Sequence, residues 1–194
     1  MRKKLIGVSL IIILLAVAAY GTWAYFTAEA RTTNVITTGT IDITLNETTT
    51  DADGNSVAFP KEGISGVMPG QSVDKLVTVV NEGTGESWIR VGVSSRIDAA
   101  DGTELPLELT NGEDVLSFDI NEEKWTDGED GYYYYADPVD PGDVTEQLFS
   151  QVTFNKLMGN EYQNCTAYVD VAAQAVQVKH NGETVFDAAG WPAN

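Results

Sequence analysis

The sequence predicts an all-β fold, a jelly-roll-like antiparallel β-sandwich preceded by a cleavable N-terminal signal helix. Short segments in which apolar and polar residues alternate recur along the chain, and clusters of Gly, Asp and Pro separate them. A two-residue period places the apolar side chains on one face of an extended strand, and short strands at this spacing are typical of a sandwich. No helical apolar period follows residue 24, and we find neither a fixed repeat nor a second domain.

The N-terminus has the pattern of an export signal. Three basic residues at positions 2–4 precede a run over residues 5–19 that is almost entirely apolar. Thr22 and Ala24 are small enough for the −3 and −1 pockets of a signal peptidase, so cleavage after Ala24 would leave Tyr25 as the first mature residue. Ala28-Glu29-Ala30 has the same small-x-small pattern but lies farther from the apolar run, so the first site is favoured. An uncleaved membrane anchor stays open as the alternative, because about 20 apolar residues span a bilayer.

Charge and cysteine content describe the class of protein that would remain after cleavage. Three of the 11 basic residues would be lost and no acidic one, which leaves 8 basic against 29 acidic residues and a net charge of −21. Such a chain repels nucleic acid and anionic membranes, so we expect no nucleic-acid partner. Cys165 is the only cysteine, which excludes a disulfide within the chain. These features fit a secreted protein that does not depend on disulfides.

Residues 25–45 are predicted to form a mature N-terminal strand ahead of a sandwich domain at residues 46–194. From residue 33 onwards the odd positions hold all the apolar residues of this segment except Ile36. The apolar face of such a strand needs a core, which is either that of its own subunit or that of a neighbour. The residues expected to make the contacts of a donated strand are Val35, Gly39, Ile41, Ile43 and Leu45.

The rest of the chain reads as strands and turns. Asp51, Asp53 and Asn55 have the one-three-five spacing of a calcium loop, but the position of the glycine and the missing final Glu favour an ordinary Asp-Gly turn. Asn181 and Gly182 predict a hairpin turn near the C-terminus. Strands are predicted at residues 73–81, 88–94, 105–109, 115–121, 132–135, 144–154 and 165–178.

Four consecutive tyrosines, Tyr132 to Tyr135, lie in one of these strands. Alternation places two of them on each face, so one pair is expected to pack inward and the other to cover the sheet with hydroxyls in water. The alternative is an aromatic platform that binds sugars, with Trp125 as part of the same face.

Two sequence blocks resemble a known family. The signal end and mature start at residues 21–26, followed by Gly-Thr-Ile-Asp-Ile at residues 39–43, are similar to those of TasA and camelysin-type proteins, which Gram-positive bacteria export. Pro69-Gly70, which opens a strand ending in Asn-Glu-Gly at residues 81–83, is similar to the second block of that family. The resemblance covers residues 1–45 and 68–94.

Membership of that family implies a signal peptidase of the SipW type, a jelly-roll sandwich, and a location at the cell surface or in the extracellular biofilm matrix. It also implies head-to-tail filaments in which each mature N-terminal strand inserts into the next subunit, with other matrix components as possible partners. TasA proteins are longer and carry large insertions that this chain lacks, so no particular matrix partner is carried over.

The sequence holds little that supports catalysis, although some relatives in that family are labelled metallopeptidases. A zinc protease needs two histidines on one helical face with a glutamate beside them, and this chain has only His180. A Cys165–His180 pair has no supporting motif. We therefore expect no enzyme, no metal site and no cofactor.

The function predicted from sequence is that of an exported structural protein whose subunits assemble by strand donation. If Ile41 and Ile43 are the donated residues, replacing both by Asp should abolish fibres and leave the monomer folded. The rival prediction, from another class, is a monomeric secreted adhesin or carbohydrate-binding sandwich in which residues 33–45 pair within their own subunit.

Overall fold

A computed structural model of the protein describes the backbone of residues 27–30 and the whole of residues 41–66 and 68–192. These residues form antiparallel strands and a single 3₁₀ turn, Asn160–Tyr162, so the predicted all-β sandwich is confirmed. The predicted signal sequence, with Thr22, Ala24 and Tyr25, lies outside the described residues.

Thirteen strands follow one another along this part of the chain. They are β1 Thr27–Ala30, β2 Ile43–Thr50, β3 Ser56–Ala58, β4 Ile64–Ser65, β5 Ser72–Asp74, β6 Leu76–Asn81, β7 Ser87–Asp98, β8 Glu104–Leu105, β9 Leu116–Phe118, β10 Trp125–Asp127, β11 Tyr132–Tyr135, β12 Gln151–Phe154 and β13 Thr166–Gln177.

The first layer of the sandwich is a sheet with the strand order β1-β13-β7-β11-β10. Its centre is the pairing of β7 with β13, which continues without interruption from Thr166 opposite Asp98 to Gln177 opposite Ser87. Two short strands extend it, because β4 pairs with the start of β13 and β8 pairs with the end of β7. The strand nearest the N-terminus, β1, and the last strand, β13, are therefore neighbours.

The second layer consists of two short sheets, β3-β2-β6 and β5-β12-β9. They adjoin because β5 and β6 are separated only by Lys75, and the irregular chain before β12 runs beside β6. The Leu148 N–H donates to the Val77 carbonyl at 2.9 Å, and the Thr145 N–H donates to the Val79 carbonyl at 2.8 Å. Residues 144–154, predicted as one strand, are therefore a strand only from Gln151 onwards.

The core lies between the two layers and follows the predicted alternation. Val77 and Val79 of β6 are fully buried, as are Ile89 and Val91 of β7. On β13 the alternate residues Ala167, Val169, Val171, Ala173 and Ala175 face inward and are buried. At the end of β13 that pairs with β1, the inward residues are Ala173 and Ala175. Because these side chains are small, β13 can approach the second layer closely there.

The C-terminal segment differs from its prediction. The turn at Asn181 and Gly182 is present, with a positive φ of 88° at the glycine, but no strand follows it up to residue 192. Instead the Asn181 side chain is buried and bonds to the backbone of Ala189, accepting from its N–H at 2.9 Å and donating to its carbonyl at 3.0 Å. This segment, residues 178–192, folds over the outer face of the first layer.

Candidate assembly interface

The N-terminal strand β1 lies on the outer edge of β13. Thr27 is opposite Val176 and Ala30 is opposite Ala173, in an antiparallel register. Because β7 occupies the other side of β13, the bonds to β1 are formed at a sheet edge. Unpaired edges readily accept an additional strand, whether it comes from the same chain or from another.

The rest of that edge is only partly covered. β4 pairs with Thr166 and Ala167, at the opposite end of β13 from β1. Between them, within the part of the chain that the structure describes, no strand pairs with the outer side of residues 168–172. Among the described strands, β1 and β4 thus cover the two ends of this edge.

Among the described residues, a groove of about 480 Å³ opens beside this stretch of β13, between the two layers of the sandwich. Tyr168, Val169 and Asp170 of β13 form one wall. Residues 45–48 of β2, residues 56–61, which include β3, and Gly63 form the other wall. An extended peptide that joins the edge of β13 would place alternate side chains in such a groove.

The groove is lined at one point by a buried ion pair. Lys75 is only 1% exposed, and its ammonium donates to the carboxylate of Glu47 and lies 3.9 Å from the centre of the Phe59 ring. Both charges occupy positions in the alternation that face inward, after Leu45 on β2 and before Val77 on β6. A buried lysine needs such partners because the loss of its hydration is costly. The alternation of the sequence places both residues inward, but it does not indicate that they form an ion pair.

The predicted donor residues divide into two groups. Ile41 and Ile43 are 2% and 5% exposed and belong to the core of this chain, and Leu45 packs against the same core from a position opposite Val79. In the described structure these three residues therefore pack within their own subunit, because β2 pairs with β6. Val35 and Gly39 lie outside the described residues.

The four tyrosines divide between the faces as predicted, but neither pair is in water. Tyr133 and Tyr135 pack against the core, whereas Tyr132 and Tyr134 lie on the outer face and are still only 8% and 7% exposed. The expectation that this second pair is solvated is wrong, because the segment of residues 178–192 covers it.

Beneath that cover the outer face is organised around Arg90. Its Nε and Nη2 donate to Oε1 of Gln174 at 2.9 and 2.7 Å, and its Nη1 donates to the Tyr134 hydroxyl at 3.0 Å. The guanidinium carbon lies 3.9 Å from the centre of the Tyr132 ring and 4.6 Å from that of Trp191. The alternation of β7 and β13 indicates outward positions for Arg90 and Gln174 but gives no sign that they are buried.

The electrostatics of this cluster fit a structural role. Burial raises the pKa of Tyr134, and its hydrogen bond to the Asp130 carboxylate acts in the same direction, against the effect of Arg90. The hydroxyl therefore stays protonated and donates to Asp130 at 2.7 Å.

Among the buried side-chain donors of the described residues, the Trp88 indole N–H has no partner.

The sugar platform weighed from sequence does not form from the residues named for it. Trp125 is 1% exposed and packs against Tyr135 in the core, with ring centres 4.9 Å apart. On the outer face Phe186 lies over Tyr134 at 4.9 Å between ring centres, and Trp191 meets the same ring edge-on. Tyr134 and Trp125 therefore cannot present open faces to a ligand together.

The residues considered from sequence for catalysis or calcium binding do not form such sites in the described structure. Cys165 precedes β13 and His180 follows it, so the length of the strand separates them by about 40 Å. Burial raises the pKa of the Cys165 thiol. The Asp51 carboxylate accepts the N–H groups of Asp53 and Asn55, as in an ordinary turn. No group of three His, Cys, Asp or Glu side chains among the described residues is arranged to hold a metal ion.

No helix within the described ranges is long and apolar enough to cross a membrane. Comparison of the chain with protein-family models, with curated proteins and with solved structures finds no match.

Proposed function

We propose that this protein is an exported structural subunit that assembles head-to-tail into filaments, at the cell surface or in an extracellular matrix. A signal peptidase of the SipW type removes residues 1–24, and the new N-terminal segment adds a strand to the next subunit. The resemblance to TasA and camelysin-type proteins supports the same proposal. Other matrix components stay open as further partners.

The observation that carries this proposal is the position of β1. It is a four-residue strand close to the predicted new N-terminus, it pairs at a sheet edge, and among the described residues the groove beside residues 168–170 continues the same edge. Backbone hydrogen bonds supply the affinity in such strand addition, and the groove supplies the selectivity. One donor and one acceptor per subunit give a contact that repeats without closing, which is an open filament.

The proposed donor is shorter than the segment predicted from sequence. Ile41, Ile43 and Leu45 pack in the core of their own chain, so a donated strand has to end before them. The donor in this proposal is therefore residues 25–40, which retains Val35 and Gly39 among its contacts. Residues from Ile41 onwards anchor it to the subunit that donates it.

The proposal is tested by blocking the donor strand with substitutions confined to β1, the edge strand of the first layer. Neighbouring residues of a strand direct their N–H groups to opposite sides, so replacing both Ala28 and Glu29 by Pro removes at least one bond to β13 whichever residue donates. The control carries Ala28→Ser and Glu29→Gln, which keep both N–H groups.

Electron microscopy and size-exclusion chromatography of chains that begin at Tyr25 give the readout. We expect fibres from the parent and from the control, and monomers with unchanged circular dichroism from the double-proline variant. A parent chain that stays monomeric at high concentration would contradict the proposal and favour the secreted monomeric sandwich. Fibres of equal yield from the double-proline variant would exclude β1 as the donor.

A further inference from the structure

The sequence contains two Asn–Gly pairs, Asn111-Gly112 and Asn181-Gly182. In such a pair the glycine nitrogen can attack the side-chain carbonyl carbon of the asparagine, because glycine carries no side chain that hinders the approach. A bond forms between these two atoms, the bond to the amide nitrogen breaks, and ammonia leaves with the proton of the glycine N–H. Water then opens the succinimide ring at either of its two carbonyl carbons and leaves aspartate or isoaspartate.

The two pairs share a backbone conformation but not an environment. Gly112 and Gly182 have positive φ angles of 82° and 88°. Asn111 is exposed in the loop before β9, where its Oδ1 accepts the N–H of Glu113 at 3.1 Å. Asn181 is only 3% exposed. The chain therefore holds two sites for the same reaction, one open and one concealed.

Asn181 is concealed by the C-terminal cover, residues 178–192. Its amide nitrogen donates to the Ala189 carbonyl at 3.0 Å, and its Oδ1 accepts the Ala189 N–H at 2.9 Å. Val185, which is 2% exposed, and Trp191 anchor the cover on the outer face of the first layer. Ring formation replaces the planar amide by a tetrahedral carbon and expels its NH₂, so both bonds to Ala189 must break. The reaction at Asn181 therefore waits for local opening of the cover.

Neither product of the reaction restores the closed cover. In aspartate a carboxylate oxygen replaces the donating nitrogen, so two acceptors face each other where Asn181 is bonded to the Ala189 carbonyl. Isoaspartate adds one methylene to the main chain directly before Gly182. This glycine has little room, because a Cβ placed on it would lie 2.9 Å from the backbone carbonyl carbon of Asp187. The added atom therefore pushes the turn away from the rest of the cover.

We propose that Asn181 is a site of spontaneous deamidation that the folded cover conceals, and that its conversion opens the cover irreversibly. Each transient opening exposes the amide to attack by the Gly182 nitrogen, and a chain that has reacted cannot close again. Tyr132 and Tyr134, which the cover shields, then become accessible on the outer face of the first layer. This inference does not depend on the formation of filaments.

Mass spectrometry of the mature chain tests the concealment. The folded protein is kept in mildly alkaline buffer, and conversion at Asn111 and Asn181 is followed in the same digests, so that Asn111 is an internal standard. We expect conversion at Asn181 to be at least about tenfold slower than at Asn111, and the two rates to agree within about threefold in urea. Equal rates in the folded protein, or slow conversion at Asn181 in urea as well, would overturn the proposal.

A variant that loosens the cover tests whether the cover is what protects the site. Val185→Ser removes a buried anchor of the cover, and Val144→Ser makes the same change at a valine that is 52% exposed outside it. We expect conversion at Asn181 to become at least about fivefold faster in Val185→Ser and to stay unchanged in Val144→Ser. An unchanged rate in Val185→Ser would contradict protection by the cover.

Limited proteolysis tests the irreversible step. Trypsin cleaves after lysine, and Lys179 is exposed at the start of the cover. Asn181→Asp reproduces one product of the reaction, and Asn111→Asp adds the same charge at the open site. We expect cleavage after Lys179 to be at least about tenfold faster in Asn181→Asp than in the parent, and unchanged in Asn111→Asp. Equal cleavage rates in the two variants would overturn the irreversible opening.

Discussion

At the scale of single residues, Arg90 links several buried side chains on the outer face of the first layer. Its guanidinium makes two bonds to one amide oxygen of Gln174, a third to Tyr134, and stacks between the rings of Tyr132 and Trp191. Only a planar group with donors on several edges can do all of this at once. The segment of residues 178–192 is thereby attached to the sheet through a stacked arginine.

This arrangement predicts that Arg90→Lys is not conservative. A lysine keeps the charge but loses the paired bonds to Gln174 and the stacking, so we expect the free energy of unfolding to fall by about 1–3 kcal/mol. Arg96 is the matched control, because it also lies over a tyrosine ring, that of Tyr168, but its side chain is 48% exposed. We expect Arg96→Lys to change stability by less than about 0.5 kcal/mol.

Urea unfolding of the two variants beside the parent measures the difference. A loss of stability that is the same at both positions would mean that the bonds of Arg90 add nothing to those of an exposed arginine. The difference in tryptophan fluorescence between each chain and the same chain with Trp191→Phe, followed in the same titrations, reports whether the C-terminal cover loosens before the sandwich unfolds.

At this scale the sequence predicted the faces of residues but not their partners. Alternation divided the four tyrosines into two pairs on opposite faces, and the structure shows that Tyr133 and Tyr135 are the inward pair. It could not show that residues 178–192 return over the outward pair, because a contact between segments distant in the chain leaves no local period. The Lys75–Glu47 pair escaped notice for the same reason.

At the scale of elements, the segment from Ile41 to Glu47 decides where the donated strand can end. Its odd-numbered apolar residues, Ile41, Ile43 and Leu45, pack into the core between the layers, and β2 pairs with β6 from Ile43 opposite Asn81 to Thr48 opposite Leu76. Six paired residues and a buried apolar face make this segment part of the folded subunit. The two-residue period was read correctly from sequence, but a period defines a face and not whose core receives it.

If Ile43 belongs to the core of its own chain, Ile43→Asp should destabilise the monomer. If Ile43 were a donated residue, the same substitution should abolish fibres and leave the monomer folded. A carboxylate at a position only 5% exposed has no partner for its charge, so we expect the free energy of unfolding to fall by about 3–5 kcal/mol or the variant to unfold. Asn46→Asp, at an exposed position of the same strand, adds the same charge and should change stability by less than about 0.5 kcal/mol.

Circular dichroism and thermal unfolding of the two variants separate the interpretations. If the Ile43→Asp chain stays as stable as the parent and loses only its ability to form fibres, residue 43 belongs to the donor after all. The boundary of the donor would then have to move beyond Ile41.

At the scale of the whole molecule, the sandwich follows from features that are local in sequence. Turns rich in Gly, Asp and Pro separate short alternating strands, and these two signals sufficed for the fold class. Which strand is left at an edge depends on the pairing of β7 with β13 and on the short lengths of β1 and β4. Such long-range pairing cannot be read from a period, so the candidate interface emerged only from the structure.

The charge of the chain also belongs to this scale. Subunits with a large excess of acidic over basic residues repel one another, so lateral association is opposed while a contact made by backbone bonds at one edge is affected less. A filament held end to end by a strand is therefore a form of assembly that such a subunit tolerates.

The most direct test asks whether β1 in an assembled fibre belongs to the chain whose edge it covers. Equal amounts of unlabelled and ¹⁵N-labelled mature chains carrying Ala28→Cys, Ala175→Cys and Cys165→Ala are mixed under reducing conditions and assembled. The fibres are then oxidised, and the disulfide-linked peptides are weighed by mass spectrometry. Donation between subunits predicts that about half of the linked pairs contain one labelled and one unlabelled peptide, as random neighbours in an open head-to-tail chain would. Linked pairs that all carry a single isotope would show that each strand stays on its own subunit and would contradict the account.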